Sequence, residues 1–348
     1  MKDADSTIQT VPSTSPRRRP RSVTVSDVAR LAGVSAMTVS RAVNTPEQVP
    51  VATLKKVQDA VAKTGYVPNL LAGGLRSNKS RLVAALVPTL AGPVFMETIQ
   101  ALTAALAENG YQLMLGQSGY AGSREDDLLG AIIGRRPDGI VLTGIMHSIE
   151  GRRRLLAAGI PVVETWDLTP TPIDMLVGFS HTEVGRSVCD YLHSRGRRRL
   201  AVMGGDDERS QRRNQAFVEA AIRLGLASPP VHLVPAPTSL GSGRTGLRAL
   251  LSAQPDIDAI FCSSDLLALG VLIEAQAQGI DVPGRLGVMG FGDLSLARDL
   301  NPALTTVRID GTRIGRQAAQ YIVDCAEGRE IEARVTDIGF AIIERASV

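Results

Sequence analysis

The sequence predicts two unlike parts: a small all-α head carrying a helix-turn-helix, and an α/β core of two lobes with parallel sheets. Three observations support this. Residues 24–44 and 51–64 show helical spacing of apolar side chains, ahead of any strand-like run. From Arg81 onward, short apolar runs alternate with amphipathic segments, the pattern of parallel strands and covering helices. The charge also changes there: residues 1–80 hold 12 Lys or Arg against 5 Asp or Glu (+7), and residues 81–348 hold 26 against 30 (−4).

Residues 1–21 are rich in Ser, Thr and Pro and end in Arg17-Arg18-Arg19-Pro20-Arg21, the composition of a disordered basic tail. Its basic end can touch phosphates; a solubilising leader is the alternative. A polar, then basic N-terminus with no hydrophobic region behind it is not a signal-peptide pattern, so a cytoplasmic location is expected.

The head is expected over 22–66. In TVSDVARLAGVSAMTVSRAVN (24–44), Thr24 can cap a first helix with Asp27 three residues on. Val28 and Leu31 share a face, and Gly33 suits a tight turn. Ser35 can cap a second helix. On it Val39, Ala42 and Val43 point one way, and Ala36, Met37, Ser40 and Arg41 the other. This is the layout of a helix-turn-helix, whose second helix enters the DNA major groove. An ordinary helical hairpin has the same inner face, but a hairpin in a basic setting favours DNA. In 51–64, Val51, Leu54, Val57 and Val61 face inward and Gly65 ends the helix. Over the hinge, 67–80, Asn69 can cap a short helix with Leu71 and Leu75 one turn apart. Gly73 and Gly74 each cost it about 1 kcal/mol against alanine. So short a helix is expected to fold only when partnered, by DNA and by its twin in a dimer.

In the core, 81–348, strands are expected over 82–87, 111–115, 139–142, 161–164, 200–203, 232–234, 259–262 and 287–290. Helices are expected over 94–109, 123–135, 149–158, 182–195, 213–224, 243–253 and 266–278. The chain length suggests two sheets with a cleft between them. One lobe is expected from 81–180 with 311–330, the other from 181–310 with 331–348. Ligands of open α/β sheets bind beyond the carboxyl ends of the strands, so those loops should line the cleft.

Other classes fit less well. Cys189, Cys262 and Cys325 are few, odd in number and far apart, which argues for reduced thiols rather than a disulfide framework. No apolar run approaches the ~18 residues of a membrane span. The histidines show no metal-ligand spacing, and Gly204-Gly205 lacks the fuller glycine pattern of a dinucleotide site. No catalytic residue, metal or cofactor is expected. A solute-binding protein of a transporter would leave the head unexplained.

The segments TVSDVARLAGVSAMTVSRAVN, GYVPN, FCSSDLLALG and PALTTVRID resemble the lactose-repressor (LacI) family, and the resemblance spans nearly the whole chain from Val23. It implies a homodimer on a roughly palindromic operator, and a core similar to periplasmic sugar-binding proteins that holds a small effector. Carried onto this sequence, base contacts fall on Ala36, Met37 and Arg41. Arg41 can bond guanine O6 and N7 together; the other two offer apolar contact. Met37 as an exposed side chain of no consequence is the alternative. Thr24, Ser35, Thr38, Ser40 and Asn44 match positions that cap helices or touch phosphates and set register. Asn69, Leu75 and Arg76 match the hinge, with Leu75 as a wedge that kinks the minor groove. Packing of Leu75 against its symmetry mate is the alternative. Family members usually carry an arginine near Gly73; its absence implies a looser hinge.

Residues 204–213 are expected as a loop. Arg213 matches the family's effector-reaching arginine, and Arg209 lies one helical turn earlier. Two guanidiniums favour an anion, because arginine pairs bidentately with carboxylate. Ion pairs of these residues or Arg212 with Asp206, Asp207 or Glu208 are the alternative. In Gly290-Phe291-Gly292-Asp293, Gly292 stands where many sugar-binding members carry an aspartate, which removes a charge that would repel an anion. Asp293 is next to it and can re-enter. NTPEQVPVA, ENGYQLML, PVVET, DMLVGFSH and DERSQ resemble the gluconate-responsive branch of the family, which implies gluconate or a ketogluconate as effector. Phe95, Tyr120, Trp166, His181 and Ser264 complete the expected pocket. The resemblance implies a repressor released by that acid. No leucine heptad follows the last expected strand, so a dimer is expected rather than a tetramer.

Overall fold

The structure, a computed structural model, describes residues 23–67, 79–90, 92–119, 122–146 and 148–348. The described residues up to Val67 and those from Lys79 onward belong to separate compact units. In the first, α1 (Val25–Ala32), α2 (Ala36–Asn44) and α3 (Val51–Thr64) fall at the expected places. The Asp27 carboxylate accepts from the Thr24 amide at 3.0 Å and from its hydroxyl at 2.7 Å, which closes the first turn of α1. Gly33 takes φ 67°, the left-handed conformation this tight turn requires. Ser35 Oγ accepts from the Thr38 amide at 3.1 Å and starts α2. Val28, Val39, Ala42, Val57 and Ala60 close a small core. Two residues expected inside it are not. Leu31 is 53% exposed and Val51 83%. The inner face of α1 is Val25, Val28, Ala29 and Ala32, and Val51 stands at the open first turn of α3.

The second unit holds two sheets. One runs β2 (Gln112–Gln117), β1 (Leu82–Val87), β3 (Gly139–Thr143), β4 (Val162–Thr165), β5 (Met175–Gly178) and β11 (Val335–Asp337), all parallel. The other runs β7 (Val231–Val234), β6 (Leu200–Gly205), β8 (Ala259–Cys262), β9 (Gly287–Phe291), β10 (Thr305–Arg308) and β12 (Ala341–Ile343). Only β12 is antiparallel to its neighbour. Around the first sheet lie α4 (Met96–Glu108), α5 (Gly122–Ile133), α6 (Ile149–Ala158) and α11 (Gly311–Glu327). Around the second lie α7 (His181–Ser194), α8 (Glu208–Arg223), α9 (Leu240–Ala253) and α10 (Asp265–Ala277). The inner strands are almost wholly buried, as sheets covered on both faces require, while the edge strands β2, β7, β11 and β12 are largely exposed. Both sheets have the doubly wound order 2-1-3-4-5, so each has a switch point beside its first strand. These points lie between β1 and β3 in one lobe and between β6 and β8 in the other, and loops after those strands face a common cleft.

Three differences from the sequence expectations have physical causes. β5, β10, β11, β12 and the helix α11 were not among the expected elements; β5 is four buried residues without alternation, too short for a periodic signal. The segment expected as a loop is helix from Glu208. Its first turns are polar, but Asp207 caps them, its carboxylate accepting from the Ser210 amide at 3.1 Å and hydroxyl at 2.6 Å. The chain returns to the second lobe after Asp337 rather than after residue 330, because β11 still pairs with β5. Its ends are tied by Leu176 N–H to Arg334 O and by Ile338 N–H to Gly178 O, each 2.8 Å. The chain also passes between the two sheets after β5 and after β10. Helix α11 then lies directly on α4: a Cβ at Gly315 would stand 2.4 Å from the Thr98 carbonyl oxygen, so only glycine allows this approach. Among the described residues, no helix is long and apolar enough to cross a membrane.

Candidate functional site

On the head, Ala36, Met37, Ser40 and Arg41 share the exposed face of α2, and Met37 is 63% exposed. Opposite them Val39 and Ala42 are buried, so the helix presents Ser40 and Arg41 outward together with the apolar Ala36 and Met37. Ser35 is exposed, and its hydroxyl is tied to Thr38 through both the amide and, at 2.9 Å, the Thr38 hydroxyl. Thr24 is half-buried beside Asp27. These three residues fix where the helices start and stand at their N-terminal ends, where amides favour an anion. The side chain of Asn44, and residues Asn69, Leu75 and Arg76, lie outside the described residues.

In the core, one cavity collects six of the expected effector residues: Phe95, Trp166, His181, Arg209, Arg213 and Ser264. It has an inner volume of about 80 Å3 and adjoins a vestibule of about 740 Å3 between the lobes. Phe95 comes from the turn before α4, Trp166 follows β4, and the other four open helices of the second lobe. His181 begins α7, Arg209 and Arg213 lie four residues apart on α8, and Ser264 caps α10. Three helix N-termini therefore meet at the cavity, and their dipoles favour negative charge, two of them already carrying a carboxylate, Asp207 and Asp265.

Arg213 is buried and held on several sides. Its Nη1 donates to His181 Nδ1 at 2.8 Å, and its Nη2 donates to Ser210 Oγ at 3.1 Å and to the Ser263 carbonyl at 3.3 Å. Its guanidinium stands 4.1 Å from the Phe291 ring centroid. His181 Nε2 lies 2.9 Å from the Trp166 carbonyl oxygen, which can only accept, so Nε2 carries the proton and Nδ1 receives Arg213. Burial, followed by the Arg213 charge, holds the imidazole well below its ordinary pKa and keeps it neutral. Trp166, with φ 65°, donates from Nε1 to Thr98 Oγ1 at 3.0 Å and packs edge-on against Phe95 and Phe179.

Arg209 is half-buried and reaches across the cleft. Its Nη1 donates to the Thr143 carbonyl at 3.4 Å, and its guanidinium lies 5.2 Å from the Phe95 ring centroid. Arg212 pairs with Glu208 at 2.9 Å, as the ion-pair alternative expects, and also crosses to the buried Asp167 of the other lobe at 2.7 Å. Burial pushes the Asp167 carboxyl up, against the pull of Arg212.

Two carboxylates on the cavity wall were not anticipated. Burial pushes Asp207 up, but Arg213, Ser210 and Arg209 outweigh it and hold the carboxyl below its usual range. Asp265 accepts from Thr306 Oγ1 at 2.6 Å and from the Leu294 amide at 2.7 Å; burial pushes it up to about 6 despite those bonds. Ser210, Ser263 and Phe291 also line the cavity. Placing a helix from 208 would have found Ser210, since it shares a face with Arg213 at i,i+3. Nothing in the sequence marks Ser263 or Phe291 separately from ordinary core.

Asp293, expected in the pocket, does not line this cavity. The chain turns through φ 129° at Gly292 and φ 50° at Asp293, and the Asp293 carboxylate accepts from Arg345 Nη2 at 2.6 Å and lies 3.5 Å from Arg308 Nη1. It is a partner of the C-terminal segment. Tyr120 lies outside the described residues.

Comparison with known proteins agrees with this architecture. A model described as bacterial regulatory proteins, lacI family, matches residues 24–69, and one described as a periplasmic binding protein-like domain matches residues 189–348. The HTH-type transcriptional regulator GntR of Pseudomonas aeruginosa is 37% identical over 326 residues, covering 93% of this chain and 95% of that protein. Its namesake in Escherichia coli is 32% identical over 323 residues, covering 92% and 97%. The crystal structure of a LacI-family regulator from Silicibacter pomeroyi superposes with a TM-score of 0.88 at 33% identity, covering 93% and 99%. The helix-turn-helix, the periplasmic-binding-like core and likeness along nearly the whole chain lead to one conclusion: the chain belongs to the LacI family of DNA-binding transcriptional regulators, whose members bind operators and small-molecule effectors.

Proposed function

We propose that this regulator is a repressor, acting in the cytoplasm as a homodimer on a pseudo-palindromic operator, and that a sugar acid, gluconate or a ketogluconate, releases it. The observation behind the effector is the pair Arg209 and Arg213 on one face of α8, both lining a cavity where three helix N-termini meet. Guanidiniums bind carboxylate bidentately, and helix N-termini add donors and positive dipole. Gly292 supports the same reading. A Cβ there would stand 3.8 Å from Asp265 Oδ2, so an aspartate at this position would add a second negative charge beside the first. The gluconate-like stretches and the likeness to regulators named GntR agree.

On DNA, Arg41 is the base-reading side chain, bidentate to a guanine, with Ala36 and Met37 in apolar contact. Thr24, Ser35, Thr38, Ser40 and Asn44 set the register on phosphates. Asn69, Leu75 and Arg76 are assigned to the operator centre on the family resemblance. The effector acts by population shift: it binds one arrangement of the lobes better than the other, and that arrangement misaligns the two hinges. The contacts of Arg212 with Asp167 and of Arg209 with Thr143 belong to the arrangement described here.

A second reading, a neutral sugar or other metabolite, draws on Asp207 and Asp265, which can accept sugar hydroxyls. Operator affinity of the full-length protein, followed by fluorescence anisotropy during titration with gluconate, 2-ketogluconate and glucose, separates the two. Weakening by the acids alone is expected. Tighter operator binding would reverse the sign of regulation, and indifference to every acid would remove the effector assignment.

A further inference from the structure

We propose that Arg209, rather than Arg213, selects the acid, its guanidinium taking the ligand carboxylate where the inner cavity meets the vestibule. This rests on the anionic effector proposed above and divides the work between its two arginines. Arg213 faces the cavity but is locked: three hydrogen bonds hold its two terminal nitrogens, and Phe291 lies against its plane. The neutral His181, anchored by its bond to the Trp166 carbonyl, keeps Arg213 from turning. A guanidinium held this way supplies a fixed positive field, yet most of its fork is already occupied.

Arg209 is held by weaker contacts. A hydrogen bond of 3.4 Å is near the limit of the interaction, and a half-buried cation at 5.2 Å from a ring centroid gains little. A bidentate, charge-assisted pair with a carboxylate is stronger than either, so an entering acid can displace the Thr143 contact. Arg209 is also placed for the task. Thr89, Asp207, Arg209, Ala236 and Pro237 line both the cavity and the vestibule, and among these Arg209 is the one cation. It belongs to a helix of the second lobe, while its present contacts, Thr143 and Phe95, belong to the first. A carboxylate bound there is therefore read at the point where the lobes meet. A neutral polyol offers only uncharged hydroxyl oxygens, one bond at a time, and gains little over that contact.

The test is calorimetric titration of the full-length protein and its R209Q, R209K and R213K variants with gluconate and with its uncharged counterpart glucitol, after thermal melts confirm folding. Wild type is expected to prefer gluconate. R209Q should weaken gluconate at least tenfold and leave glucitol within about twofold, so that the preference collapses. R209K, which keeps the charge but not the fork, should restore part of it. R213K should weaken both ligands to a similar degree. The proposal is overturned if R209Q keeps the wild-type preference, or if R213K alone abolishes it. A wild-type protein that does not prefer gluconate would defeat the anionic reading itself, a result visible before any variant is compared.

Discussion

Replacing Asp265 by asparagine is expected to stabilise the protein at neutral pH and to remove part of its pH dependence. Asp265 is fully buried at the start of α10, and burial raises its pKa from 3.8 to about 6. Its folded-state pKa is thus above the unfolded value, so the folded protein holds the extra proton between these two values. Stability must then fall as pH rises through this window and level off above it. At about 1.4 kcal/mol per pH unit, the ionised carboxylate costs about 3 kcal/mol at pH 7. Asparagine avoids that cost without leaving a buried group unpaired. Its Oδ1 can accept from the Leu294 amide, and its Nδ2 can donate to Thr306 Oγ1, whose hydroxyl can reverse. Urea unfolding of both proteins, followed by circular dichroism, provides the readout. The stability difference should be small near pH 4 and grow in favour of D265N by about 2–3 kcal/mol by pH 7.5. A variant less stable than wild type at pH 7.5, or a difference that does not change with pH, would refute the argument.

Two further outcomes follow from the same geometry. Arg41→Ala should cost about 1–3 kcal/mol of operator affinity and relax selectivity at one base pair of each half-site, measured by anisotropy against operators substituted position by position. Unchanged selectivity would exclude Arg41 as a base reader. Arg212→Met leaves the Asp167 carboxylate buried without this partner; a fully buried pair broken this way costs about 3–5 kcal/mol. Arg212 is 32% exposed, so about 2 kcal/mol is the expected loss in melting stability, and R212M/D167N should recover most of it. A double variant no more stable than R212M would show that the pair contributes little.

The head was legible almost residue by residue, because capping, glycine turns and helical spacing act over three or four neighbours. Thr24 with Asp27, Gly33, Ser35 and Gly65 all stand where local chemistry requires. The alternation of strands and helices was legible for the same reason, since covering a parallel sheet on both faces imposes a repeating apolar pattern. Errors arose where neighbours in the chain do not decide the outcome. Leu31 and Val51 satisfy helical spacing but stand largely exposed among the described residues. β5 is a strand because β4 and β11 flank it, and β11 lies far away in the sequence.

The two arginines of the proposed effector site were legible in the sequence as a pair one helical turn apart. Their different situations were not. Arg213 is sunk against Phe291 and His181 while Arg209 bridges the lobes, and Asp293 is drawn off to Arg345, 52 residues away in the chain. Side-chain charge is a property of the residue, whereas its burial, its partners and its access to a ligand depend on which distant segments pack beside it, and no local pattern encodes that.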